Sequence, residues 1–109
     1  HERQHAAALL TLAEFLGGRP PPVPSLAQVE VALPGVRRAV DRPSALAVLD
    51  ELERAVVLGF ITDVKVLEDA KLIEMVAAVG ASDAQHLALV RQADGRDPIP
   101  SALETGVAR

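Results

Sequence analysis

Leu72-Ile73-Glu74-Met75-Val76-Ala77-Ala78-Val79-Gly80-Ala81-Ser82-Asp83-Ala84-Gln85-His86-Leu87-Ala88-Leu89-Val90 decides how this chain folds. Leu72, Val76, Val79, Asp83, His86 and Val90 recur at spacings of three and four, the period of a helix with one inward face. Asp83 and His86 fill two consecutive positions of that face. An acid-x-x-histidine pair at helical spacing points both side chains the same way. A second such pair, Glu2-Arg3-Gln4-His5, opens the chain and leads into another stretch rich in alanine and leucine. There Glu2, His5, Leu9, Leu12 and Leu16 make one stripe. A carboxylate and an imidazole from each of two helices, turned inward, form half of a dinuclear metal site in a carboxylate-bridged bundle.

Working outward, the first helix is expected over about residues 1 to 16. Gly17-Gly18 ends it, since glycine takes the left-handed C-cap conformation at little cost. Arg19 to Pro24 carries four prolines, which cannot continue a helix. Residues 19–43 read as a long connection, with Ser25 capping a short helix through Val31 and a break at Pro34-Gly35. A second short helix fits Gly35 to Val40. Such a connection is far longer than a helical hairpin needs, and it lets its flanking helices run parallel.

Arg42-Pro43-Ser44 opens the next helix, with Pro43 near its N-terminus. Its stripe is read as Leu46, Leu49, Glu53, Val56 and Phe60. One helix from residue 44 to 94 would be roughly 75 Å long at 1.5 Å per residue, too long for this chain. A turn is therefore expected near Leu67 to Asp69, making the two flanking helices antiparallel neighbours. Residues 95–109, with Pro98 and Pro100, read as an irregular strap. The chain of 109 residues is a single all-α domain on this reading, with about three long helices.

Composition agrees. Half the residues are hydrophobic, yet Phe15 and Phe60 are the only aromatic ones. The core must be built from alanine, leucine and valine, which favours closely packed helices over sheets. The net charge of −4, with no basic run longer than Arg37-Arg38, argues against nucleic acid as a partner. The absence of cysteine excludes disulfides and thiolate ligands and leaves the compartment open. No apolar stretch reaches the length of a membrane span. The chain also opens inside a helix, with no cap before Glu2, and reads as part of a longer one.

The chemistry rests on polar residues that interrupt apolar stripes. Glu2 and His5 do so on the first helix, Glu53 on the second, and Asp83 and His86 on the third. A buried carboxylate without a partner is costly or neutralises itself. A divalent cation offers all five a common partner, and carboxylate with neutral imidazole suits iron or manganese, with zinc also compatible. Glu51 is the rival of Glu53, but it shares a less continuous line with Ala47, Ala55 and Leu58. His1, four residues before His5, is either an extra ligand or a frayed terminal residue. Glu14, Glu74 and the Arg37-Arg38 pair read as solvated charges. Gly80 either admits a neighbouring helix closely or permits a kink. No nucleophile–base pair lies on these helices, which weighs against a hydrolase.

These segments resemble the ferritin-like superfamily, in particular its bacterial ferritin-like-domain branch related to desiccation-associated proteins. Glu2-Arg3-Gln4-His5-Ala6-Ala7-Ala8-Leu9 is similar to the family's second bundle helix, and Leu52-Glu53-Arg54-Ala55 to its third. Gly80 to His86 resembles the fourth, and Asp97-Pro98-Ile99-Pro100-Ser101-Ala102-Leu103-Glu104 the Pro-x-Pro tail after it. The resemblance implies a four-helix bundle with a crossover between its second and third helices. It also implies a dinuclear iron or manganese centre serving iron oxidation, storage or protection from oxidative stress. Glu2 and Asp83 would bridge or chelate, His5 and His86 would be terminal ligands, and Glu53 would complete one metal. Asp83 stands where the family carries glutamate, and the family's first helix has no counterpart here. Residues outside this sequence, a partner chain or a domain-swapped copy in a homodimer would then supply that helix. The alternative is a metal-free helical module for interaction or structure.

Overall fold

Three capping side chains, Ser25, Asp41 and Asp69, punctuate a chain that is helical and without strands among its described residues. The computed structural model describes residues 1–101 and 103–107. Four α-helices follow in order: α1 (Glu2–Phe15), α2 (Leu26–Ala32), α3 (Arg42–Val64) and α4 (Ala70–Ala93). A 3₁₀ turn, Val36–Arg38, lies between α2 and α3. Three helices are long, as expected, and the all-α class stands.

Local chemistry sets the ends. Gly17, at φ +77°, follows the last turn of α1. Ser25 and Gln28 form a capping box at α2, each side chain bonded to the other's backbone N–H. Asp41 Oδ1 accepts from Ser44 N at 2.9 Å, and Pro43 occupies the first turn of α3. Asp69 Oδ1 accepts from Lys71 N at 2.9 Å and Leu72 N at 3.0 Å, which starts α4. The break between the two long helices covers residues 65–69, around the expected turn.

α3 and α4 pack as an antiparallel hairpin. Arg42 at the start of α3 donates to the Ala93 carbonyl at the end of α4, at 3.0 Å. That carbonyl has no partner within its own helix, and a cation suits the negative end of the helix dipole. Midway, a Cβ on Gly80 would stand 3.0 Å from Phe60 Cβ, so the glycine admits α3 closely. The structure thereby decides between the two roles open to Gly80.

Among the described residues the buried apolar set is Val57, Val76, Val79 and Leu87, all aliphatic. Four charged residues share it: Asp50, Glu53, Asp83 and Arg91. On α3 the inward line is Asp50, Glu53 and Val57, not Leu49, Glu53 and Val56. Leu49 is 42% exposed, because the helix is rotated by about one residue from the expected stripe. That rotation brings Asp50 under the arginines of α4 and the tail.

α1 buries no residue. Its Leu16, expected on the inward stripe, is exposed. Glu2 lies beside His86 and His5 beside Asp83, while Leu12 and Phe15 share a shallow recess with Met75. α1 therefore runs opposite in sense to α4. The accessible surface is 7864 Å². A compact monomer of this mass exposes roughly 5,800 Å² by the usual surface scaling. Residues 14–28 are exposed throughout, and an apolar groove between Val57, Phe60, Val64 and Ala77, Ala81, Ala84 is also open.

The tail is irregular over its described residues, as expected, and it is tied down; residues 102, 108 and 109 of the expected strap lie outside the described residues. Arg91 Nη1 donates to Glu104, and Glu104 Oε1 accepts from Gly106 N at 2.8 Å. Gly106 is buried against the Arg54 carbonyl, where an added Cβ would meet Leu58 N at 2.8 Å. Only glycine allows that approach at φ +71°. No helix is long and apolar enough to cross a membrane among the described residues.

Candidate metal centre

Asp83 is the anchor of the site. It sits mid-way along α4 at 1% exposure, and α3 packs across it. His86 lies one turn further on the same face. Glu53 comes from α3, and Glu2 and His5 from the first turns of α1. The structure brings these five predicted residues together. Glu51 is exposed, whereas Glu53 is buried.

Both imidazoles aim Nδ1 inward. His5 Nδ1 lies 3.2 Å from Asp83 Oδ1 and 3.6 Å from Glu2 Oε2. His86 Nδ1 lies 2.9 Å from Glu2 Oε1, 3.6 Å from Asp83 Oδ1 and 3.9 Å from Glu53 Oε1. The two rings are nearly parallel, with centroids 5.9 Å apart. Glu2 thus turns one oxygen to each histidine, and Asp83 Oδ1 lies within reach of both.

Two overlapping groups result. Glu2, His5 and Asp83 bring ligand atoms within 4.8 Å of one another, and so do Glu2, Glu53 and His86. Glu2 is common to both. Metal–ligand distances of about 2.0–2.2 Å space neighbouring ligand atoms roughly 3–3.5 Å apart, close to what is found here. His5 Nδ1 and Asp83 Oδ1 are buried and face each other at 3.2 Å. Three carboxylates and two imidazoles converging in this way are a donor set that a divalent cation stabilises. The residues present therefore fit a metal ion. One expectation needs correction: Glu2 is 63% exposed at its side chain, so the site opens to solvent beside α1.

Electrostatics point the same way. Burial raises the Glu53 carboxyl to about 7, helped by the nearby Glu2 and Asp83 charges and opposed by His5. Burial also pushes the Asp83 carboxyl up, with Glu2 adding to the effect and His5 and His86 opposing it. Three carboxylates this close cannot all ionise cheaply without added positive charge.

A second polar cluster lies one turn away and is not anticipated from sequence. Asp50 accepts from Arg96 Nη2 at 2.8 Å and pairs with Arg54 at 3.1 Å and Arg91 at 3.7 Å. Arg91 in turn holds Glu104 of the tail. A signal is present in the sequence: Asp50 precedes Glu53 by three residues, and Arg91 follows Asp83 by two turns. Arg37, expected to be a solvated charge, is exposed and pairs with Glu30.

Comparison of the chain with protein-family models, with curated proteins and with solved structures found no match. The reading of the site therefore rests on its own geometry.

Proposed function

We propose that this chain is a ferritin-like, dinuclear-metal-binding helical protein. On this reading α1, α3 and α4 are three helices of the bundle and residues 19–43 its crossover. The observation that carries the reading is the shared Glu2, whose two oxygens face two histidines, each flanked by a second carboxylate. His5 and His86 act as terminal ligands through Nδ1. Glu2 and Asp83 serve both positions, and Glu53 completes the one at His86. All five are oxygen or imidazole donors, a set that suits iron or manganese and also accepts zinc. When bound, a pair of such redox-active ions supplies oxidation of ferrous iron, or consumption of peroxide, in protection from oxidative stress. The chain's own part is to hold ligands on rigid helices. It also keeps one edge open beside exposed Glu2, through which ions and small oxidants enter.

The test is metal analysis of the full chain purified without chelator and reconstituted with ferrous iron or manganese. Two equivalents are expected. Less than about one tenth of an equivalent of iron, manganese or zinc ends the proposal, because a site that shapes this fold binds tightly.

A second reading is a helical interaction module that has lost its metal. It is favoured by the open apolar groove between Val57, Phe60, Val64 and Ala77, Ala81, Ala84. The same metal analysis separates the two.

A further inference from the structure

We infer that His1 is a positioning residue for His86, an inference that rests on the metal-binding reading above. His1 Nδ1 lies 3.0 Å from His86 Nε2, on the side of the ring away from Glu2, Glu53 and Asp83. The ring centroids are 5.2 Å apart and the planes differ by 22°. With nitrogens so much closer than centroids, the rings meet edge to edge, as a hydrogen bond requires.

His1 is not frayed at its backbone. Its carbonyl accepts from Gln4 N at 2.7 Å and His5 N at 3.0 Å, which fixes it to the first turn of α1. Its side chain makes no capping bond there, which leaves the ring free to reach across to α4.

The chemistry follows from the two nitrogens of one imidazole. To bind a cation through Nδ1, neutral His86 must keep its single proton on Nε2. That Nε2–H needs an acceptor, and His1 Nδ1 supplies it. The bond selects the tautomer and holds the ring plane so that the Nδ1 lone pair faces Glu2 and Glu53. Partners of this kind outside the ligand set typically change metal affinity ten- to a hundredfold. Among the described residues only His86 has a side chain bonded at Nε2, so the two metal positions are unequal, with the His86 position the better supported.

The experiment is calorimetric titration of the metal-free full chain with zinc, a probe without redox chemistry. The chains compared are wild type, His1→Ala, His1→Asn and the His5→Ala/His86→Ala pair. His1→Ala should weaken one zinc site about tenfold or more, and His1→Asn, whose amide oxygen can accept, should recover most of the loss. The thermal midpoint of the metal-free chain should stay unchanged, which separates positioning from folding. In the zinc-loaded protein, nitrogen-15 correlation spectra should show the His86 proton on Nε2, protected in wild type and exchanging freely in His1→Ala. Equal zinc affinity of wild type and His1→Ala overturns the role of His1 while leaving the site intact. Wild-type binding no stronger than that of the His5→Ala/His86→Ala pair overturns the metal reading itself, and His1's role with it.

Discussion

Glu53 makes the metal-free protein sensitive to pH in an unusual direction. Its carboxyl is raised from 4.5 to about 7 in the folded chain, chiefly by burial and then by Glu2 and Asp83. A folded state that holds a proton the unfolded state has released is stabilised at low pH. The Glu53 contribution is therefore neutral below pH 4.5 and turns against folding through the window up to about 7, where the penalty is complete. Every tenfold change in proton affinity is worth about 1.4 kcal/mol. The site opens to solvent beside Glu2, which screens part of this, so the loss is on the order of 2–3 kcal/mol. For a domain of this size that lowers the melting midpoint by roughly ten degrees. Asp83, raised by the same causes, adds in the same direction. The assay is thermal unfolding of chelator-treated protein between mildly acidic and mildly alkaline pH, wild type beside Glu53→Gln. The glutamine variant should lose most of the alkaline decline and be the more stable of the two at alkaline pH. A wild-type midpoint that is flat or rises over this window, or a Glu53→Gln profile that superimposes on it, refutes the reasoning.

Four further outcomes follow from the geometry. At a free metal concentration one hundred times the dissociation constant, bound metal should stabilise the fold by about 2.7 kcal/mol; a shift that persists in His5→Ala/His86→Ala would place the metal elsewhere. Because α1 buries no residue and meets α4 mainly through Glu2 and His5, added metal should slow amide exchange across Glu2–Phe15 far more than across α3; equal slowing in both counts against a bridging role for α1. Asp50→Ala removes the buried carboxylate that accepts from Arg96 and faces Arg54 and Arg91, while Glu104 still holds Arg91, so a loss of about 1.5–3 kcal/mol is expected in denaturant titration. Gly106→Ala forces a Cβ into the α3 backbone and should cost about 1–3 kcal/mol and free the tail to proteases, whereas unchanged stability would show that the strap is not docked.

The helix ends were legible because they depend on neighbours in sequence. Gly17, Ser25, Pro43 and Asp69 act within one turn of their own positions, so a linear reading suffices. The rotation of α3 was not legible, because apolar residues occur all around it. Leu46, Leu49, Glu53, Val56 and Phe60 make one acceptable stripe, and Leu46, Asp50, Glu53, Val57 and Ile61 make another. The buried residues Asp50, Glu53 and Val57 fall on the second, and charge carried by distant residues accompanies that rotation. Asp50, itself buried, there meets Arg54, Arg91 and Arg96, which a buried carboxylate needs. Glu53 lies on both stripes, so its burial could be read from either. The same logic explains why Glu2 is open to water. Its stripe is apolar, but α1 has only α4 and the polar cluster to lean on, so the carboxylate stays open to water. Glu2 thus lies exposed on a helix that buries no residue, whereas Asp83 is buried on the α3–α4 hairpin. α3 and α4 hold Glu53, Asp83 and His86 in place whether or not a metal is bound. α1 brings Glu2 and His5 to them, so on the proposed reading the energy of metal binding should fall mainly on docking that one helix.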